Sequence, residues 1–244
     1  MKKAKKKHRL KSFLVIFLFL YLIIMLGYYL FKTPIKNIYI YGNKYVSDLE
    51  IIETAGIKNY PSFLHVKTKS IKKKLEKNPF ITKASIKKTI LGKVTIKIDE
   101  AHPLFISKSD NLIYLSNEKT VANSDKYLGL PMLINYVPKN ILKDFIDAFK
   151  NIDENIVAMI NEIEYQREEK DDVVIDETRF LLRMNDTNTV YVNTINLKKL
   201  NQYAKICATT NGVKGIIYLN SNRDTISITS YDSIKNESKD KSEN

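Results

Sequence analysis

The stretch that decides the fold is residues 78–106, NPFITKASIKKTILGKVTIKIDEAHPLFI. Residues 81–90 and 93–99 both alternate apolar with polar side chains, which is the pattern of half-buried strands. The apolar positions that we expect to face inward are Ala84, Ile86, Ile90, Val94, Ile96 and Ile98. Gly92 lies between the two runs and suits a turn, so the stretch predicts a hairpin of two strands.

Upstream of this hairpin, the sequence predicts one strand and two helices. Residues 35–41, IKNIYIY, alternate in the same way and end at a glycine. Ser47 and Glu50 form a capping box, with Val46 and Ile51 as its hydrophobic staple. We expect this helix to bury Leu49, Ile52 and Ala55 and to stop at Gly56. A second helix, capped by Thr68 and burying Ile71 and Leu75, should end at Asn78-Pro79. The resulting order is β-α-α-β-β.

Downstream, residues 104–231 predict a second, mixed α/β domain. Residues 139–149 have the apolar spacing of an amphipathic helix, Asp153 can cap a short helix, and Asn196 can cap a helix that reaches Thr209. Short strand-like runs separate these helices, and the last of them is Thr225–Ser230. Residues 232–244 are polar and charged, so we expect a disordered tail.

The N-terminus predicts a membrane anchor. Residues 1–11 form a basic tail with seven basic residues and no acid, and 12–32 contain the uncharged run FLVIFLFLYLIIMLGYYLF from Phe13 through Leu20 and Leu26 to Phe31. As a helix, this run spans roughly 28 Å, close to the hydrocarbon thickness of a bilayer. A cleaved signal peptide is the alternative, although its apolar core is shorter and ends at small residues. The positive-inside rule puts the basic tail in the cytoplasm and the body outside.

Charge and composition narrow the function classes. The net charge is +13, but residues 32–103 hold 15 basic and 6 acidic residues, whereas residues 104–244 hold 18 basic and 21 acidic ones. With the body outside the cytoplasm, we expect no nucleic acid partner. We expect the basic residues of 32–103 to face anionic membrane lipid or wall polymer, or to be simply solvated. The chain has one cysteine, and its histidines lack ligand spacing. No metal, cofactor or nucleophile motif occurs, so we expect no cofactor, no small-molecule substrate and no catalysis.

Residues 78–106, in this order behind an anchor, resemble the bacterial cell-division family FtsQ/DivIB. The matching features are Pro79-Phe80-Ile81 after the second helix and Glu100-x-x-Pro103 after the last strand. The resemblance implies an α+β fold: one transmembrane helix, a POTRA domain over 33–103, and a "β domain" over 104–231 with a C-terminal edge strand. It also implies a single-pass divisome protein of the cytoplasmic membrane that is concentrated at the septum.

In that family, the last strand of the β domain is the docking edge for coiled-coil partners of the FtsB/DivIC type, which act with FtsL. An edge strand has unpaired N–H and C=O groups that a partner strand can complete. Carried onto this chain, the edge comprises Arg223, Asp224, Thr225, Ile226, Ser227, Ile228, Thr229, Ser230 and Tyr231. The alternative for Ile226 and Ile228 is that both simply face the core.

Two other functions remain possible on the sequence alone. A POTRA-bearing component of a transport or assembly machine would bind polypeptides by β-augmentation, but such proteins usually carry several POTRA repeats and a barrel. A membrane-anchored wall enzyme would need carboxylates that converge from different elements. The acidic pairs of this chain are adjacent in sequence, and on a strand such neighbours point to opposite faces. The resemblance therefore favours a non-enzymatic division scaffold.

Overall fold

The N-terminal anchor is one continuous helix, α1, from Lys2 to Lys32. It belongs to a computed structural model that describes residues 2–124, 126–221 and 226–240, with only the backbone described for 2–10 and 237–240. Lys11–Lys32 is the one helix of the described residues that is long and apolar enough to cross a membrane. Phe13, Leu20, Leu26 and Phe31 are between 52% and 76% exposed, as lipid-facing side chains are.

The first unit, which ends at Glu100, has the predicted β-α-α-β-β order behind α1. Its elements are β1 (Asn37–Tyr41), α2 (Asp48–Ala55), α3 (Thr68–Leu75), β2 (Ile81–Lys88) and β3 (Lys93–Glu100). The three strands form a sheet in the order β1-β3-β2, with β1 parallel and β2 antiparallel to β3. Val94, Ile96 and Ile98 of the central strand are at most 1% exposed, which confirms their inward prediction.

Helix α2 starts and stops where the sequence predicts. The Ser47 side chain accepts a hydrogen bond from the Glu50 N–H, and Gly56 ends the helix with a left-handed φ of 69°. Val46 and Ile51 are both buried, as the hydrophobic staple requires. The predicted buried face is wrong in part: Ala55 is buried as predicted, but Leu49 is 57% exposed and Ile51 faces the core in its place. Two helical turns contain too few apolar residues to fix the phase of the helix.

Two further local predictions are wrong. Lys67, which makes no side-chain capping bond, precedes α3, and Thr68 is the first residue of that helix. Ile90 is 65% exposed because β2 ends at Lys88 and Ile90 belongs to the hairpin turn, where strand alternation no longer applies. Ile71 and Leu75, by contrast, are buried as predicted.

Glu100 fixes the loop between β1 and α2. Its carboxylate accepts hydrogen bonds from the backbone N–H groups of Lys44 and Tyr45, each at 2.7 Å, and of Val46 at 3.0 Å. Val46 directly precedes Ser47, the N-cap of α2. The Glu100 side chain at the end of β3 therefore holds the residues at which the helix starts. This contact gives a structural reason for the glutamate of the Glu-x-x-Pro motif.

We expect Glu100→Ala to lower the free energy of unfolding of the first unit by about 2–3 kcal/mol, since hydrogen bonds to a charged acceptor are the stronger class. Asp99→Ala, at the neighbouring exposed position, is the matched control and should cost little. Urea unfolding of the full chain in detergent measures both. Equal losses in the two variants would contradict the role given to Glu100.

The second unit starts at Ala101 rather than after Pro103, because Pro103 already belongs to a strand that pairs with Leu115. Its helices are α4 (Lys139–Phe149), α5 (Glu154–Val157), a 3₁₀ helix (Leu197–Gln202), α6 (Tyr203–Thr209) and α7 (Tyr231–Asp240). Its strands are β4 (Pro103–Ser107), β5 (Leu112–Leu115), β6 (Thr120–Ala122), β7 (Met132–Leu133), β8 (Ile160–Tyr165), β9 (Glu168–Lys170), β10 (Val173–Asp176), β11 (Arg179–Met184), β12 (Thr189–Asn193), β13 (Gly215–Tyr218) and β14 (Ser227–Ser230).

Nine of these strands form one mixed sheet, in the order β14-β13-β12-β11-β8-β7-β4-β5-β6, and β9 pairs with β10 as a separate hairpin. The core of the unit lies between this sheet and the helices, as the buried side chains of α4 and α6 show. Phe145 of α4 stacks on Phe180 of β11, with ring centroids 4.2 Å apart. The sheet therefore has two edges, β14 and β6.

Two predictions for the second unit are corrected. Asn196 makes no side-chain capping bond, because its side chain donates to Asn193 Oδ1 instead. The predicted single helix is a 3₁₀ helix followed by α6. The tail, predicted to be disordered from residue 232, is helical to Asp240. The Ser230 hydroxyl accepts from the Ser233 N–H at 3.0 Å, which satisfies one donor of the first turn of α7.

Candidate partner-docking edge

The last strand, β14, is at one end of the nine-stranded sheet and pairs only with β13 among the described strands. The two strands are antiparallel, with Gly215 opposite Ser230, Ile217 opposite Ile228 and Tyr218 opposite Ser227. The predicted edge from Arg223 to Tyr231 is thus a shorter strand, and its first three residues, Arg223, Asp224 and Thr225, lie outside the described residues.

The pairing register shows which backbone groups of β14 face outward. The Tyr231 N–H donates to the Lys214 carbonyl at 3.1 Å, which makes these two residues a hydrogen-bonded pair. In an antiparallel ladder such pairs alternate with pairs whose N–H and C=O groups point to the opposite sides. Ile228 and Ser230 therefore direct their backbone groups away from β13, toward the open edge.

Side chains in β14 and just before it leave apolar surface at this edge. Ile226 is 38% exposed and Ile228 is 36% exposed. Ile228 lies opposite Ile217, which is 1% exposed, so Ile228 is on the core face of the sheet but at its margin. The two alternatives for Ile228 are therefore compatible: its inner side packs on the core, and its outer side remains available to a partner strand.

Tyr231 does not belong to the strand, because α7 begins at this residue. Its hydroxyl lies 2.9 Å from Thr189 Oγ1 and donates to the Thr187 carbonyl at 3.2 Å. These contacts tie the end of β14 across β13 to the start of β12. Tyr231 thus holds the edge in place, a role that the sequence prediction of apolar partner contact missed.

A polar cluster bonds to the start of β13. Asp186 Oδ1 accepts from the Tyr203 hydroxyl at 2.9 Å, and Asp186 Oδ2 accepts from Lys214 Nζ at 3.1 Å. Asn188 Nδ2 donates to Asp186 Oδ2, and Asn188 Oδ1 accepts from the Gly215 N–H at 3.0 Å. The first residue of β13 is therefore fixed by the turn before β12. This cluster is not predictable from the sequence, because nothing in the local pattern joins residues this far apart.

Burial and hydrogen bonding act in opposite directions on Asp186. Its burial favours the protonated form, but the hydrogen bonds from Tyr203, the Asn188 N–H and Lys214 outweigh that effect and hold the pKa of Asp186 below its usual value. Burial, above all, raises the pKa of the Tyr203 hydroxyl, with hydrogen bonds to Cys207 and Asp186 adding to it. The hydroxyl therefore stays protonated as a donor to the carboxylate.

We expect Asp186→Asn to flatten the acid side of the stability profile. A carboxyl whose folded pKa lies below its unfolded value, about 3.9, stabilises the fold above that pH, and the contribution is lost as the pH falls through the folded pKa. Wild type should therefore lose more stability than the variant between about pH 5 and pH 2. Urea unfolding across that range checks this. The control is Asp144→Asn, an exposed site on α4, and equal profiles for wild type and Asp186→Asn would contradict the prediction.

Outside this edge, the described residues offer little that could hold a cofactor. Within residues 2–124, 126–221 and 226–240, no group of three or more His, Cys, Asp or Glu side chains could bind a metal ion. Cys207 is a free thiol beside Asn188. The arrangement at the β14 edge is suited to binding another chain through main-chain hydrogen bonds.

Comparison with known proteins agrees with this architecture. Residues 33–101 match the family model described as "POTRA domain, FtsQ-type". The fold and this match define a POTRA-domain protein with a single candidate membrane helix at its N-terminus.

Curated relatives give the family. Cell division protein DivIB of Bacillus subtilis (strain 168) is 30% identical over 238 residues, covering 89% of this chain and 83% of the relative. DivIB of Geobacillus kaustophilus is 24% identical over 233 residues, covering 89% and 85%. The solved major extracytoplasmic domain of DivIB from Geobacillus stearothermophilus, in its trans isomer, aligns with 46% of this chain and 96% of that one, at 16% identity and a TM-score of 0.36. The chain belongs to the DivIB family of cell division proteins, which confirms the predicted resemblance.

Proposed function

We propose that the chain is a non-enzymatic scaffold of the division machinery, whose β14 edge binds a coiled-coil partner of the DivIC type that acts with an FtsL-type protein. The observation that carries the proposal is the open edge itself. Ile228 and Ser230 direct backbone donors and acceptors outward, and Ile226 and Ile228 add exposed apolar surface. A partner strand would complete the ladder and cover these side chains.

The same proposal includes topology and location. Seven basic residues precede the anchor, which favours a cytoplasmic N-terminus and an extracytoplasmic body. In that orientation both folded units lie where the septal wall is made. Membership of the DivIB family supports concentration at the septum and a part in coordinating septal wall synthesis.

Partner capture by the full-length chain tests the proposed edge. A variant ending at Ser221 lacks β14, whereas a matched variant ending at Asn236 retains β14 and Tyr231. We expect the first variant to lose capture of the DivIC-type partner and the second to keep it. Undiminished capture by the chain ending at Ser221 would remove the assignment.

A fluorescent fusion tests the cellular role separately. Midcell accumulation of the full chain is the expected result, and uniform membrane staining would contradict it. External protease added to protoplasts should digest the body and leave the anchor, because the body is proposed to lie outside. A protected body would overturn the topology and with it the partner assignment.

A further inference from the structure

The turn of the β2–β3 hairpin carries an exposed apolar pair. The Gly92 N–H donates to the Thr89 carbonyl at 3.0 Å, so Ile90 and Leu91 are the two central residues of a tight turn. Ile90 is 65% exposed and Leu91 is 80% exposed. Central turn positions normally hold Gly, Pro, Asn, Asp or Ser, whereas here two large aliphatic side chains leave most of their apolar surface exposed.

This turn lies beside the end of the anchor helix. Ile90 and Leu91 line one groove together with Leu26, Tyr29 and Leu30 of α1. Leu30 is also the one residue between Lys11 and Lys32 that is partly buried rather than exposed. The hairpin turn and the last two turns of the helix therefore form a single apolar surface.

The connection between the helix and the POTRA domain is short and hydrogen-bonded, so this placement is not that of a loose linker. Only 33–36 separate α1 from β1. The Lys36 N–H donates to the Gly92 carbonyl at 2.7 Å, and the Ile35 N–H donates to the Pro61 carbonyl at 3.0 Å. The Phe63 N–H donates back to the Thr33 carbonyl at 3.0 Å. The hairpin turn is thus held directly against the segment that leaves the membrane.

The positions of Leu26 and Leu30 along α1 indicate how deep in the bilayer the hairpin turn lies. Leu30 lies about 3 Å and Leu26 about 9 Å from the last residue of α1 along its axis. The uncharged run must reach Phe31 to span a bilayer, so both leucines are at the level of the acyl chains or their boundary with the headgroups. A side chain that shares a groove with them reaches the same level.

We infer that Ile90 and Leu91 insert into the lipid leaflet beside the anchor, as a second membrane contact that fixes the orientation of the POTRA domain. Lys36 lines the same groove, Lys93 follows the turn in sequence and Lys32 ends α1; all three are exposed, where they can meet anionic headgroups. Lys93 Nζ also lies 4.6 Å from the centre of the Tyr39 ring, an aromatic residue of the kind found at membrane interfaces. The inference holds for either direction of the helix and does not rest on the proposed function.

The chain contains no tryptophan, so a single introduced indole reports its own surroundings. We would place Leu91→Trp in the full-length chain and reconstitute it in vesicles of phosphatidylglycerol and phosphatidylcholine, with part of the latter brominated on its acyl chains. The matched control is Leu128→Trp, at an 85% exposed leucine of the second unit. Circular dichroism of both variants checks that the fold is retained.

We expect the Leu91→Trp emission to shift to shorter wavelength and to lose most of its intensity to brominated lipid, while Leu128→Trp shows neither change. Emission of a water-exposed indole at position 91, with no bromine quenching, would overturn the inference. So would a blue shift that appears only on addition of a DivIC-type partner, because it would assign the turn to a protein contact. Neither result bears on partner capture at β14, so the two proposals fail separately.

Discussion

Ile228→Pro should weaken binding of a DivIC-type partner by about 100-fold while leaving the hydrogen bonds of the folded sheet intact. The Ile228 N–H points away from β13, so proline removes no hydrogen bond of the folded sheet. The proline removes a backbone N–H donor from the open edge. A carbonyl of the bound partner strand would then be buried without a hydrogen bond. Such a loss, with the ring clash, costs about 2–3 kcal/mol, and each 1.4 kcal/mol is a factor of ten in affinity.

The opposite edge of the same sheet provides the matched control. Ala122 is in β6, and the Asn123 N–H donates to the Asn111 carbonyl, so by the same alternation the Ala122 N–H points outward. Ala122→Pro therefore makes the same chemical change at an edge with no proposed partner and should leave affinity intact. Titration of the reconstituted full chain measures both. Equal affinities for the two variants would show that β14 is not the docking edge.

Local chemistry made the first unit predictable. The Ser47 cap, the Gly56 stop and the alternation of Val94, Ile96 and Ile98 each act within a few residues, and the structure confirms them. The errors occur where a local pattern was too short to decide. Leu49 is in a helix of only two turns. Ile90 fits the apolar alternation of β2, but the strand ends at Lys88, before Ile90 is reached.

The second unit was less predictable because its sheet is assembled from distant parts of the chain. The short strands were visible as apolar runs, but nothing local indicates that β13 lies parallel to β12 or that β14 is outermost. The edge was expected from the family resemblance and not from its own residues. Tyr231 is an example: the sequence suggests partner contact through its aromatic ring, whereas in the structure its hydroxyl bonds to Thr189, 42 positions earlier in the chain.

Gly42→Ala should have the largest effect on stability, at roughly 4 kcal/mol or more, a size that points to one identifiable cause. Gly42 follows β1 with a φ of 87°, where residues other than glycine are strained. A Cβ built there would lie 2.1 Å from the Ile98 carbonyl oxygen. Because this oxygen belongs to the central strand, β3, relief of the clash must displace β1 or the strand itself. Hydrogen exchange of the full chain should show loss of protection across the first unit.

Gly129→Ala separates the two causes of that loss. Gly129 has nearly the same φ, 81°, but a Cβ added there would meet no atom within 4 Å beyond its own chain neighbours. Its substitution should therefore cost only the backbone strain, about 1–2 kcal/mol. If Gly42→Ala cost no more than this, the close approach of β1 to β3 would not exist in solution. A larger loss confined to the first unit would instead show that the POTRA domain unfolds independently of the sheet that contains β14. Partner capture at the proposed β14 edge should then survive the substitution.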